Sequence, residues 1–152
     1  MPVHTLERTQ IIPATLTTAW EFFSSPRNLE KITPSSLGFQ ILSELPPKMY
    51  PGMMIRYRVS PLFGIPMTWV TEITHVDEGR FFMDEQRVGP YRMWHHEHHF
   101  RDLGGGRIEM FDRVTYQLPF GWLSESVHTL VVKPQIEGIF AYREKVVNSL
   151  FN

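Results

Sequence analysis

The chain reads as an α+β protein in which a curved antiparallel sheet is closed by one long C-terminal helix, and three observations predict this. From Leu123 to Phe151 the apolar residues recur at helical spacing; between Met67 and Leu118 four β-type runs are separated by short turns; and helical turns capped by a threonine lie between the first two strand-type segments. At 152 residues the chain is expected to be a single domain, residues 1–152, large enough to bury about 70% of its unfolded surface.

Taken in order, His4 to Ile12 is β-favouring and stops at Pro13. Thr15, Thr17 or Thr18 can cap a short helix carrying Leu16, Trp20, Phe22 and Phe23, which Ser24-Ser25-Pro26 ends. Asn28 to Ile32 offers one or two further turns before Pro34. Strands follow at Phe39–Leu45 and Met53–Val59, the second with Ile55, Tyr57 and Val59 on one face. The meander is Met67–Val76, Arg80–Val88, Tyr91–Leu103 and Arg107–Leu118, turning at Asp77-Glu78-Gly79, Gly89-Pro90 and Gly104-Gly105-Gly106. In the last third, Val132, Ile136, Ile139, Phe140, Val146, Val147, Leu150 and Phe151 form one apolar stripe, with Arg143 near its middle. Val127, Leu130 and Val131 lie on a rotated stripe, and Pro134 is expected to kink or break the helix between the two. A guanidinium on an apolar face requires a wet cavity or a carboxylate.

Composition excludes several chemistries. The absence of cysteine rules out disulfides, thiolate metal sites and a cysteine nucleophile. A net charge of −1 gives no long-range pull toward nucleic acid or anionic lipid. Neither a signal-peptide pattern nor a membrane-length apolar run is visible, so a cytoplasmic location without membrane insertion is the expectation. An aromatic content of 13% with eight methionines suits a pocket lined by large, adaptable side chains.

The chain resembles the helix-grip fold of the SRPBCC or START-like superfamily, most of all its bacterial ligand-binding members and polyketide cyclase-like proteins. The residues that carry the resemblance are Ile12-Pro13-Ala14 with Ala19-Trp20-Glu21-Phe22-Phe23, and Gly89-Pro90-Tyr91-Arg92-Met93-Trp94-His95-His96-Glu97-His98. Asp112-Arg113-Val114-Thr115-Tyr116 with Pro119, and Ile139-Phe140-Ala141-Tyr142-Arg143, complete it. The resemblance implies a sheet wrapped around the long helix with a cavity between, and a superfamily of binders, carriers and enzymes on one scaffold.

Alternation of side chains along strands then selects an inward face: Trp69, Thr71 and Ile73; Phe82, Asp84 and Gln86; Trp94, His96, His98 and Phe100; Met110, Asp112, Val114 and Tyr116. The candidate ligand-binding set is Trp69, Asp84, Gln86, Trp94, His96, His98, Met110, Asp112, Tyr116 and Arg143. Three readings compete for it. One is a satisfied structural network in which Arg143 meets Asp112 or Asp84. The second is a pocket for a small, largely apolar or amphipathic molecule with one polar end. The third is a metal held by His96, His98 and Asp112; the preferred assignment contains no metal and no cofactor. His95 and His99 are expected to face outward into solvent.

Binding or carriage is preferred over catalysis because no nucleophile motif is present. The enzymatic alternative is a cyclase or dehydratase acting on a polyketide-like substrate, with His96 or His98 as general base and Tyr116 or Arg143 holding an enolate oxygen. A further alternative is a protein-interaction module or homodimer using Leu62-Phe63-Gly64-Ile65 and Phe120-Gly121-Trp122-Leu123, which also suit covers for the cavity ends.

Overall fold

The threonine-capped first helix and the apolar stripe of the last third set the two ends of the architecture. The computed structural model describes residues 2–61, 64–119 and 124–152. Its elements are β1 (His4–Ile12), α1 (Leu16–Phe23), 3-10 turns at Pro26–Glu30 and Ser35–Leu37, β2 (Gln40–Ile41), β3 (Met54–Val59), β4 (Met67–Asp77), β5 (Phe81–Val88), β6 (Met93–Gly104) and β7 (Arg107–Gln117). Helical structure then runs from α2 (Ser124–Val127) through a π-helical stretch, His128–Val132, into α3 (Lys133–Phe151). The strands form one antiparallel sheet in the order β1-β7-β6-β5-β4-β3-β2. Among the described residues no helix is long and apolar enough to cross a membrane.

Local chemistry explains these elements. Thr15 caps α1, its Oγ1 accepting from the Thr18 amide at 3.2 Å. Gly104, Gly105 and Gly106 all have positive φ, which side-chain-bearing residues resist, and Asp102 accepts from the Gly104 amide at 2.8 Å to fix this β6–β7 turn. The β4–β5 ladder shifts register twice, with Arg87 of β5 as the extra residue opposite Val70/Thr71 and Thr74 of β4 as the extra residue between Ile73 and His75; such bulges bend a strand and increase its twist. β2 is much shorter than the expected Phe39–Leu45: beyond Ile41 the amides of Leu42 and Ser43 both turn onto the Arg56 carbonyl, and regular pairing stops.

Pro134 does not break the helix. It lies in the first turn of α3, where its missing N–H is tolerated, and the preceding turn has widened so that the Lys133 amide reaches the His128 carbonyl, five residues back. That extra residue per turn rotates the side-chain phase. His128 and Val132 are buried, while Val127, Leu130 and Val131 face solvent. In α3 the buried residues are Ile136, Phe140, Arg143 and Val147, a single stripe; Leu150, expected within it, is exposed.

The strand phase is the expected one. Thr71, Ile73, Phe82, His96, His98, Phe100, Met110, Asp112, Val114 and Tyr116 are buried, as is Trp69. Two apolar clusters flank the polar residues. One gathers Trp20, Phe23, Phe82, Phe100, Met110 and Val147; the other joins Val114, Tyr116 and Leu118 to Val132, Ile136 and Phe140.

Candidate functional site

Antiparallel pairing places His96 level with Asp84 on β5 and with Val114 on β7, and His98 level with Phe82 and Asp112. The hydrogen bonds run across this ladder diagonally. His96 Nε2 is 2.8 Å from Asp112 Oδ1, and His98 Nε2 is 2.6 Å from Asp84 Oδ2. The two imidazoles stack at 3.7 Å, and Phe82 stacks on the far side of His98 at 4.0 Å. From α3, Arg143 brings Nη1 to 3.9 Å from the same Asp112 oxygen, its guanidinium lying over the rings of Phe23 and Phe140. The expected pairing of Arg143 with a carboxylate is thus present with Asp112.

The charges follow from this geometry. Burial alone would raise the Asp112 carboxyl; the Arg143 charge, the hydrogen bond from His96 and the adjacent His98 imidazole outweigh it and hold it well below the usual carboxylate range. Asp84 is likewise opposed by burial but lowered by His98, His96 and Arg143. Burial disfavours the His98 cation, yet the neighbouring Asp112 and Asp84 raise its pKa. His96 goes the other way, lowered by burial and by the charge of His98, despite Asp112. His98 Nδ1 sits 3.3 Å from Asp112 Oδ1 but off the hydrogen-bonding angle, so that contact is electrostatic.

Beside this cluster opens a cavity of about 210 Å³, far above the roughly 10–15 Å³ that one water needs. Asp84, His96, His98 and Arg143 stand at its polar end, with Trp69 and Trp94 edge-to-face at 5.5 Å. Its apolar walls come from β3 and β4 (Ile55, Val59, Ile73), from α1 (Phe22, Phe23) and from α3 (Ile136, Ile139, Phe140). Two of the residues that line it carry buried donors, Trp69 Nε1 and Arg143 Nε, with no hydrogen-bond partner among the described residues.

Six of the ten candidate residues therefore line the cavity: Trp69, Asp84, Trp94, His96, His98 and Arg143. The other four share the inward face but stand elsewhere. Asp112 lies behind the imidazoles as their common anchor. Met110 packs into the apolar cluster around Trp20 and Phe100. Gln86 grips the β5–β6 turn, donating to the Tyr91 carbonyl at 2.6 Å and accepting from its amide at 3.0 Å, over Gly89, where a Cβ would collide with it. Tyr116 places its hydroxyl 2.6 Å from His128 Nε2, and His128 stacks on His4 at 3.5 Å. Replacing Tyr116 by Phe should cost about 1–2 kcal/mol in urea unfolding, the worth of a buried hydrogen bond, and leave uptake of an apolar probe unchanged; loss of uptake would return Tyr116 to the cavity wall.

Other expectations need correcting. His95 and His99 are half-buried on the outer face and paired, His95 with Glu85 at 2.9 Å and His99 with Glu97 at 3.1 Å. Both carboxylates meet both imidazoles: Asp112 Oδ1 lies within 3.3 Å of one nitrogen of each ring, and Asp84 also groups with them within 4.8 Å. Leu62, Phe63 and the stretch 120–123, considered as an interaction surface, lie outside the described residues. Sequence reasoning missed Tyr57, whose hydroxyl meets Thr71 Oγ1 at 2.7 Å and which lines the cavity; its inward phase with Ile55 and Val59 was the available signal. It also missed the Asn28, Leu29 and Thr33 contributions from the irregular turns, where no periodicity marks a face.

No family model matches the chain, and no curated protein matches it. Solved structures do. It is similar to the Zhui aromatase/cyclase of a Streptomyces species, at 16% identity over 97% of this chain and 93% of that one with a TM-score of 0.76. A START superfamily protein from Mycobacterium smegmatis is similar at 13% identity, 97% and 99% coverage and a TM-score of 0.72. A major latex-like protein of Panax ginseng is similar at 17% identity, 98% and 97% coverage and a TM-score of 0.69. Agreement over nearly the whole length at such low identities concerns the backbone path, and on it the chain has the START/SRPBCC-type helix-grip fold.

Proposed function

We propose that the protein binds or carries a small, largely apolar molecule in the cavity between sheet and α3. The observation that carries this reading is the pairing of aromatic and aliphatic walls with two unsatisfied buried donors, Trp69 Nε1 and Arg143 Nε. An orphaned buried donor costs about 1–3 kcal/mol, and an acceptor atom on a bound molecule removes that cost. The apolar body of the ligand then lies against Ile55, Val59, Ile73 and Ile136, and its oxygen-bearing end against Trp69, His96, His98 and Arg143.

The test is saturable uptake of a fluorescent apolar probe, with native mass spectrometry of freshly purified protein. Trp69→Phe keeps an aromatic ring but removes the indole N–H together with part of the contact area, so affinity for an acceptor-bearing probe should fall by roughly tenfold or more. The double variant His96→Asn, His98→Asn should abolish uptake while circular dichroism remains unchanged. Uptake that does not saturate, or that neither variant alters, would remove the cavity from the function.

One observation favours a second reading, proton transfer in a cyclase or dehydratase of polyketide-like substrates. His96 Nδ1 stands 4.0 Å from Asp84 Oδ2, beyond hydrogen-bonding range, and its imidazole is the one kept neutral. A neutral ring nitrogen beside a cavity can act as a base. In that case His96→Asn alone would leave binding intact and eliminate turnover.

A further inference from the structure

The arrangement of the two carboxylates around the stacked histidines is asymmetric in a way that simple charge pairing does not require. Asp112 Oδ1 faces one nitrogen of each ring, His96 Nε2 at 2.8 Å and His98 Nδ1 at 3.3 Å, with Arg143 Nη1 behind at 3.9 Å. The remaining nitrogens, His96 Nδ1 and His98 Nε2, both turn toward one oxygen, Asp84 Oδ2, at 4.0 and 2.6 Å. Asp84, His96 and His98 line the cavity, and Asp112 does not.

We propose that Asp84, His96 and His98 form a binding site for a divalent transition-metal ion at the polar end of the cavity. A metal ion would take the place of the proton that His98 Nε2 shares with Asp84 Oδ2, and His96 Nδ1, 4.0 Å from the same oxygen, would supply the second nitrogen. One ligand atom from each residue falls within 4.8 Å of the others. Donors around a single ion, at bonds of about 2.0–2.2 Å, stand roughly 3–3.5 Å apart, so closure requires the stacked rings to turn out of parallel and the more distant donors to draw in by about 1 Å. Asp112 then supplies His96 with what metal-bound imidazoles ordinarily have, an outer carboxylate, here hydrogen-bonded to Nε2, that fixes tautomer and ring orientation. Two histidines and one carboxylate suit zinc or ferrous iron rather than magnesium or calcium, which prefer all-oxygen sites. Three protein ligands leave coordination positions facing the cavity, where an oxygen of a bound molecule can enter. The site does not depend on uptake of an apolar ligand, and a metal on His96 Nδ1 would exclude the general-base role of that atom.

Protein stripped with a chelator and titrated with Co²⁺ alone should bind one equivalent and develop visible absorption bands, and its melting temperature should rise. Asp84→Asn and His98→Asn should each weaken Co²⁺ binding by on the order of 100-fold or more, and Asp112→Asn by about 10–100-fold. The melting temperature and circular dichroism of each metal-free variant establish that it is folded. His95→Asn, His99→Asn, altered on the outer face, should bind as the wild type does. Absence of stoichiometric binding by the wild type overturns the proposal, as does binding that survives in every folded Asp84 and His98 variant or disappears with His95 and His99. Probe uptake is measured separately, so loss of the metal site with uptake retained leaves the binding reading in place.

Discussion

Replacing Arg143 by Leu is expected to lower the unfolding free energy by about 3 kcal/mol, within the range for stranding one member of a buried ion pair. For a chain of this size that corresponds to a melting temperature lower by roughly 6–12 °C. The cause is Asp112, buried and left facing only two imidazoles, together with the lost contacts of the guanidinium over Phe23 and Phe140. Adding Asp112→Asn to the leucine variant should recover part of the loss, since the stranded charge is then absent. A change below about 0.5 kcal/mol in urea unfolding, as for a surface substitution, would show that Arg143 is solvated.

Asp112→Asn alone should be comparably destabilising at pH 7, by about 3 kcal/mol, because Arg143 and His98 both lose a carboxylate. Its dependence on pH has a definite sign. The folded-state pKa of Asp112 is depressed well below its ordinary value, so its contribution is fully present above the unfolded pKa of about 3.9 and is lost as pH falls through the folded value. The carboxyl's own part of the gap between wild type and variant should therefore begin to narrow below about pH 5 and keep closing toward pH 3, while the part that comes from the raised His98 pKa is lost as pH climbs above about 6.5. Urea midpoints measured across that range decide it. A gap that stays fixed down to pH 3 would mean that the Asp112 carboxyl is not held by these partners.

Alternation along β6 and β7 was enough to turn His96, His98 and Asp112 inward, because a strand with one buried face has a fixed phase and a slip of one residue would expose all three. Arg143 was legible for a related reason: a charge on the apolar stripe of a helix must have a partner. Depth along the strand was not legible. Gln86 shares a face with Asp84 but lies two residues nearer the turn, and Met110 shares one with Asp112 but sits under α1. Periodicity assigns a side and says nothing of where along that side a cavity opens. Nor does it choose between carboxylates: the diagonal bonding that sends His98 to Asp84 and His96 to Asp112 follows from sheet twist and rotamers. The widened turn at His128–Val132 was foreshadowed by the rotated stripe, although proline was the expected cause.

The perpendicular contact between Trp69 and Trp94 gives the protein an optical reporter of its own. Both indoles stand on the cavity wall, whereas Trp20 is packed behind it in the apolar cluster with Phe82 and Phe100. A molecule entering beside them changes the polarity around two of the chain's four tryptophans and leaves Trp20 untouched. Emission wavelength and quenching therefore follow occupancy directly, without a label.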